Sequence, residues 1–168
     1  GISQTQTNAD IGMTFAAGLR ATLRQDPDVI LVGEIRDVET AQVAAQASLT
    51  GHLVFSSLHA NGSVAAVTRL RDLGLDNFLI AATLRGILAQ RLLRCLCPKC
   101  KEMGPPDAVT TAMFAANAVP LPDVVAQANG CAECSDTGYA GRQGVYEIVE
   151  ITEAVATAIG ENASEQVL

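Results

Sequence analysis

The first half of the chain carries apolar residues at spacings that predict helices and strands in turn. Between residues 11 and 24 they recur at helical intervals, and the Asp-Pro-Asp sequence at 26–28 ends this predicted helix. The uninterrupted apolar run at 29–32 predicts a strand that is buried on both faces, as in parallel sheets, and residues 52–58 are expected to form a second strand of this kind. The order of these elements predicts an α/β fold with a parallel sheet.

Polar and Ala-rich stretches predict the remaining helices of this half. Asp37 is the expected N-cap of a helix that has Glu39 in its first turn and runs to about Leu49. Two more helices are expected near Ser63–Leu73 and Asn77–Leu92.

From Cys95 onward the pattern changes. An Ala-rich segment at 107–118 predicts a short helix, and a Gly-rich turn after Gly138 predicts a following strand. We therefore expect an α/β core part at 1–92, a cysteine-containing subdomain at 93–137 and the start of a C-terminal helical subdomain at 138–168.

Composition and charge narrow the possible partners. The chain has 168 residues, 49% of them hydrophobic, which is enough for a sizeable core. Its formal net charge of −7 argues against a nucleic-acid partner, whose phosphates need a basic face. Five arginines between residues 69 and 94 form either a local basic patch or solvated helix faces. No transmembrane segment or signal peptide is expected, because no apolar run is long enough.

Two Cys-x-x-Cys pairs with 30 residues between them predict a metal site. Each pair aims two sulfurs at one point, and two pairs complete a tetrahedral shell that suits structural zinc. Free or disulfide-bonded thiols are the alternative. Cys95 is expected to be a free core thiol whose side chain points away. The predicted zinc ligands are Cys97, Cys100, Cys131 and Cys134.

A second candidate site lies where the predicted strands end. Glu34 follows an apolar strand, which is the outline of a Walker B element of nucleotide hydrolases, although a helix-entrance charge or a partner for Arg36 fits as well. His52 and His59 flank the second strand at opposite ends, roughly 20 Å apart, so at most one of them lies at the site. His59, on the same side as Glu34, is the better candidate; ordinary loop hydrogen bonds are the alternative.

The chain lacks one part that such a site needs. No Gly-x-x-x-x-Gly-Lys-Ser/Thr loop is present, and the only lysines, Lys99 and Lys101, lie in the cysteine region. The sequence therefore predicts half of a nucleotide site. We expect the chain to be part of a longer protein and to be inactive by itself.

Long motifs resemble the ATPases that power type II secretion and type IV pilus assembly. The stretch at 18–37 is similar to the Walker B region of that family, and 50–61 is similar to its His box. The stretches at 89–100 and 138–147 resemble the segments before and after its tetracysteine subdomain. The Walker A motif of the family has no counterpart here. Ala60 follows His59 where the family usually has Thr, which puts a hydroxyl contact there in doubt.

The resemblance implies a fold, an activity and partners. The fold would be part of a RecA-like core, Glu34 would activate water and His59 would contact the γ-phosphate of ATP, with Mg²⁺. The parent would be a homo-hexamer in the cytoplasm, peripheral to the inner membrane, that binds platform proteins and drives pseudopilus assembly. Pilus assembly is the alternative, and so is a zinc-ribbon module that mainly docks a platform protein. The tetracysteine feature favours assembly motors over retraction motors.

Overall fold

The structure, a computed structural model, describes residues 1–168 and alternates helices and strands over its first half. Helix α1 (Phe15–Thr22) begins where the Thr14 hydroxyl accepts a hydrogen bond from the Ala17 N–H at 3.1 Å. The further elements, in chain order, are β1 (Val29–Val32), α2 (Val38–Leu49), β2 (Leu53–Ser56), α3 (Ser63–Asp72), α4 (Asn77–Thr83), β3 (Gly86–Leu96), β4 (Glu102–Gly104), α5 (Ala108–Ala116), β5 (Val125–Gln127), β6 (Tyr139–Glu150) and α6 (Glu153–Gly160).

The chain divides into two compact units. Residues 1–89 and 147–168 form the first, which holds the β1–β2 sheet and helices α1 to α4 and α6. Residues 90–146 form the second, which holds α5 and the antiparallel β4–β5 pair. Strands β3 and β6 pair with each other, and each contributes residues to both units.

Strands β1 and β2 pair in parallel, with Val29 opposite Leu53 and Leu31 opposite Phe55. The predicted α/β fold class with a parallel sheet is confirmed. The prediction that both strands are buried on both faces is wrong: Ile30 is 5% exposed, whereas Leu31 is 78% exposed. Residues of a strand point alternately to opposite faces, and α1 and α2 pack on only one of them.

Helix α2 is the centre of the first unit. Asp37 is its N-cap, as predicted: one carboxylate oxygen accepts from the Thr40 N–H at 2.7 Å and the other from the Thr40 hydroxyl at 3.0 Å. Small residues let neighbouring elements approach on two sides, because alanine adds almost no width. Six of its residues are buried: Thr40, Ala41, Val43, Ala44, Ala45 and Ala47.

Two hydrophobic clusters meet at α2. Val43, Ala44 and Ala47 join α1 and β1 in the first cluster. Ala41 and Ala45 join α3, α4 and α6 in the second. The helix thus connects the sheet to the helices behind it.

The predicted helix at Asn77–Leu92 is wrong over its second half. Helix α4 ends at Thr83, Leu84 is already extended, and β3 begins at Gly86. Leu, Ala, Gln and Arg favour helices in isolation, but pairing with β6 overrides this local preference. The predicted helices near 63–73 and 107–118 are confirmed, with bounds Ser63–Asp72 and Ala108–Ala116.

None of the helices is both long enough and apolar enough to span a bilayer.

Candidate functional site

Two hydrogen bonds extend the β1–β2 pairing beyond the strands. The Ile35 N–H donates to the Ser57 carbonyl at 3.0 Å, and the Ser57 hydroxyl donates to the Gly33 carbonyl at 2.8 Å. These bonds tie the segment that carries Glu34 to the segment that carries His59. The ends of the two strands therefore hold both side chains at one edge of the sheet, where α/β proteins bind ligands.

The structure brings Glu34 and His59 together. His59 Nε2 lies 3.3 Å from Glu34 Oε2, and Arg36 forms an ion pair with the other oxygen, Oε1. The Glu34 side chain is 19% exposed, whereas those of Arg36 and His59 are 68% and 87% exposed. A mostly buried carboxylate thus faces two basic side chains that reach into solvent.

The ionisation of Glu34 follows from these neighbours. The Arg36 guanidinium, which donates to it, holds the pKa of this carboxyl below its ordinary value; partial burial opposes the effect, and His59 adds to it. Glu34 is therefore ionised at neutral pH. The sequence offered two interpretations of Glu34, a site carboxylate and a partner for Arg36. The structure is compatible with both at once, because Glu34 contacts Arg36 and His59 through different oxygens.

His52 lies at the opposite end of β2 and serves the local structure. Its Nδ1 lies 3.0 Å from the Ala47 carbonyl oxygen and 3.1 Å from the Thr50 hydroxyl. Both partners belong to the end of α2, so His52 secures the turn between α2 and β2. For His52 the structure therefore shows the alternative considered from the sequence, an ordinary hydrogen-bonding role in a loop.

The second candidate site gathers the predicted sulfurs. The Sγ atoms of Cys97, Cys100, Cys131 and Cys134 all lie within 4.8 Å of one another. The separations of 4.0 Å (97 to 131), 3.8 Å (100 to 134) and 3.7 Å (131 to 134) far exceed a disulfide bond of about 2 Å. A tetrahedral shell with metal–sulfur bonds of about 2.3 Å has edges of about 3.8 Å. These three separations therefore match the edge of such a shell, and all four sulfurs lie close enough together to share one metal ion.

Backbone N–H groups prepare these sulfurs for a cation. Gly138 and Cys131 both donate to Cys134 Sγ at 3.3 Å, and Gly130 donates to Cys100 Sγ at 3.3 Å. Burial opposes ionisation of Cys134, but its two N–H donors and the adjacent thiols outweigh it and lower its pKa to about 6. Burial raises the pKa of Cys100 to about 12, with the neighbouring thiols adding to this and the Gly130 N–H opposing it. The surroundings of Cys134 thus favour its thiolate, the form that binds metal.

Two glycines that flank the second cysteine pair were not identified from the sequence as site residues. Gly130 and Gly138 have φ of 124° and 75°, values that other residues rarely adopt. A Cβ on Gly138 would lie 2.7 Å from Ala128 Cβ. Their spacing around the cysteine pair is the signal that could have found them.

Cys95, Arg71 and Arg94 lie outside the Glu34–His59 pair and the cysteine cluster. Cys95 is a half-buried free thiol that is not among the four clustered sulfurs. Arg71 donates to the Ile159 and Ala163 carbonyls at 3.1 and 2.9 Å, and Arg94 stacks on Tyr139 at 3.9 Å from the ring centroid. These two arginines of the 69–94 stretch therefore have structural contacts.

Comparison with known proteins assigns the family. The family described as Type II/IV secretion system protein matches residues 1–168, the whole chain. The chain belongs to this family. The resemblance noted from the Walker B-like and cysteine motifs is confirmed.

Curated relatives agree with this membership. The chain is 53% identical over 168 residues to the type II secretion system ATPase E of Vibrio cholerae serotype O1, covering 100% of this chain and 33% of that protein. It is 52% identical over 166 residues to the type II secretion system protein E of Pseudomonas aeruginosa, covering 99% of this chain and 33% of that protein. The chain thus spans about a third of the length of these relatives.

Solved structures share the fold. A crystal structure of the pilus retraction motor PilT with bound ADP matches with a TM-score of 0.60 and 31% identity, over 92% of this chain and 34% of that one. The ATPase DotB of Legionella pneumophila matches with a TM-score of 0.58 and 23% identity, over 96% and 34% of the two chains. Together with the cysteine cluster, these matches confirm the predicted fold class.

Replacing Gly138 should disturb the sulfur cluster more than replacing a glycine of similar backbone geometry. Gly138→Ala meets Ala128 and strains the backbone, whereas Gly141→Ala, at φ 79°, has open space around its Cβ. We expect Gly138→Ala to weaken cobalt(II) binding about tenfold or more, which is a modest strain cost of about 1.4 kcal/mol, and Gly141→Ala to change it much less. Thiolate-to-cobalt absorption measures the affinity. Equal losses in the two variants would show that the contact with Ala128 is irrelevant.

Proposed function

We propose that the longer protein containing this chain is an ATPase that drives pseudopilus assembly in type II protein secretion. The observation that carries the proposal is the pairing of Glu34 with His59, 3.3 Å apart, at the carboxyl edge of a parallel sheet. The relative of 53% identity is named an ATPase, which agrees with it. Assembly of type IV pili by the same chemistry is the alternative.

The proposed roles follow from the chemistry of the two side chains. Glu34 is ionised and accepts a proton from the water that attacks the γ-phosphate, as a general base does. His59 is 87% exposed beside it and can reach a phosphate oxygen. The phosphate-cradling loop, with ATP and Mg²⁺, belongs to another part of the longer protein, so this chain supplies half a site.

We assign zinc to the cysteine cluster. Three sulfur separations of 3.7 to 4.0 Å suit the tetrahedral shell that zinc prefers, and four sulfur ligands leave no position open for substrate. The ion is thus structural. It would hold the 97–100 and 131–134 turns together in place of an apolar core.

The organisation of the parent is part of the same proposal. We infer a cytoplasmic homo-hexamer, peripheral to the inner membrane, that engages platform proteins of the secretion system and binds no nucleic acid. In it, residues 1–92 belong to a RecA-like core, 93–137 to the zinc subdomain and 138–168 to the start of a C-terminal helical subdomain.

Glu34→Gln should abolish ATP hydrolysis in the longer protein. The amide keeps the shape of the carboxylate but cannot accept a proton, so turnover should fall at least about 100-fold while ATP binding persists. Phosphate release measures turnover, and a fluorescent ATP analogue measures binding. Glu39→Gln, which alters an exposed carboxylate paired with Arg20, is the matched control. Wild-type turnover by Glu34→Gln would remove Glu34 from this role.

The 168-residue chain alone serves as the reference in the same assay. It should release phosphate only at background, because it has no phosphate-cradling loop. Turnover comparable to that of the longer protein would contradict the proposal of half a site.

Zinc content tests the metal assignment. We expect one zinc ion per chain by mass spectrometry of the metal, and loss of most of it in Cys131→Ser, since three ligands hold zinc far less tightly than four. Cys95→Ser should keep its zinc, because Cys95 is not in the cluster. Iron in place of zinc, or full zinc retention by Cys131→Ser, would overturn the assignment.

A second candidate function, docking of an inner-membrane platform protein, is favoured by helix α5. None of its residues is buried, and its apolar residues Val109 and Met113 are 77% and 56% exposed. Residues 108–122 contain no charged residue in a chain that is 17% charged. An exposed helix with apolar residues one turn apart and no charges is typical of a protein-binding face.

Substitution on α5 separates this function from catalysis. Val109→Ser with Met113→Ser should weaken binding of the platform protein about tenfold or more, while zinc content and folding stay unchanged because both side chains are exposed. Binding to the purified platform protein is measured by calorimetry. Ala115→Ser, on the opposite side of the helix, is the control. Unchanged affinity in the double variant would exclude α5 as the docking face.

A further inference from the structure

The carboxylate of Glu34 is engaged on both oxygens by basic side chains. Arg36 pairs with Oε1, and His59 Nε2 lies 3.3 Å from Oε2. The two contacts come from different segments, the turn after β1 and the turn after β2. Together they restrict the rotation of a side chain that is only 19% exposed.

The backbone of Arg36 is held on both sides. Its predecessor Ile35 donates to Ser57, and its successor Asp37 caps α2 through two hydrogen bonds to Thr40. The backbone of Arg36 is therefore fixed in position. Its side chain, which is 68% exposed, extends from there to the Glu34 carboxylate. A planar guanidinium also orients a carboxylate, which a lysine ammonium does not.

The charge of Arg36 matters because of what the proposed site binds. Phosphates beside a carboxylate disfavour its ionised form, since like charges repel more strongly where solvent is partly excluded. A permanent positive charge in contact with the carboxylate offsets this effect. The charged or titratable groups in contact with Glu34 are Arg36 and His59, and only arginine is charged at every physiological pH.

We propose that Arg36 is a positioning residue for Glu34: it orients the carboxylate and supplies the positive charge that keeps it ionised beside the phosphates of a bound nucleotide. The inference rests on the proposed function, because it takes Glu34 to be the proton acceptor. It adds a residue whose effect passes through Glu34 and not through contact with the reacting atoms.

A second Arg–Glu pair provides an internal comparison. Arg20 Nη1 lies 2.8 Å from Glu39 Oε1, with side chains 53% and 56% exposed. Such an ion pair between solvated groups contributes little free energy, because water screens both charges. Glu34 differs from Glu39 in being mostly buried, so removing its arginine should have a much larger effect.

The first experiment uses this chain and follows the Glu34 carboxyl by NMR titration. Because Arg36 lowers the pKa of Glu34, Arg36→Gln should raise it, and Arg36→Lys should raise it less. Arg20→Gln, the matched control, should leave it unchanged. An unaltered Glu34 titration in Arg36→Gln would overturn the proposal.

The second experiment measures hydrolysis by the longer protein. Arg36→Gln should lower kcat about 10- to 100-fold with little change in KM for ATP, since a misplaced catalytic group slows the reaction without weakening binding. The acid limb of the kcat profile should move to higher pH, in the direction of the raised pKa, and Arg36→Lys should recover part of both effects. Wild-type kcat and an unmoved acid limb, or a change confined to KM, would contradict the proposal.

The two proposals fail in different ways. If Glu34→Gln retains turnover, Glu34 is not the proton acceptor and the proposed function fails at its base. If Glu34→Gln is inactive but Arg36→Gln behaves as wild type, the function stands and the role of Arg36 is rejected. If Arg36→Gln does not fold, which circular dichroism detects, the Arg36→Lys variant decides the outcome by the same two measurements.

Discussion

Parallel pairing of β1 with β2 is the constraint on which the proposed nucleotide half-site depends. Each strand has only four residues, and the pairing continues past their ends through the bonds between Ile35, Ser57 and Gly33. Parallel strands end at the same edge, so Glu34 and His59 meet although 24 residues of chain separate them. The intervening helix α2 makes this possible, because its buried alanines let it lie close against the sheet. The placement of Glu34 and His59 thus depends on how α2 packs against the sheet.

The cysteine cluster rests on a different kind of constraint. Its sulfurs are placed by tight turns and by N–H donors from Gly130, Cys131 and Gly138, with little apolar packing around them. Of the residues in the second unit, the buried hydrophobic ones are Cys97 and Cys134 themselves. A unit of this size without an apolar core gains stability when a metal joins distant turns, because the cross-link removes conformational freedom from the unfolded chain. The two units therefore use different sources of stability, burial in one and the cysteine turns in the other.

Local sequence signals were sufficient to predict most helices and strands, the Glu34–His59 pair and the cysteine cluster. The Pro at 27, the Asp37 cap and the Cys-x-x-Cys spacing within each pair act over a few residues, and a second pair of the same kind completed the predicted four-sulfur group. The strand identity of β3 was missed because it depends on pairing with β6, more than 40 residues away in sequence. The open face of the sheet was missed for a related reason. An apolar run shows that a strand can be covered on both faces but not whether this chain contains the covering element. The sequence placed His59 on the same side as Glu34 and left Arg36 as an alternative partner, whereas the structure shows both basic side chains in contact with the one carboxylate.

The distribution of charge agrees with the proposal that this chain supplies half of a nucleotide site. Near Glu34 the basic side chains in contact are Arg36 and His59, and both are turned towards the carboxylate. Both lysines lie at 99 and 101, in the other unit. A nucleoside triphosphate carries several negative charges, and an acidic polypeptide of net charge −7 would repel it unless further N–H donors and cations were supplied. In the proposed enzyme those groups must come from another segment or a neighbouring subunit. Hydrolysis would then require both halves to meet, which couples the chemistry to assembly and gives the motor a physical basis for acting only when assembled.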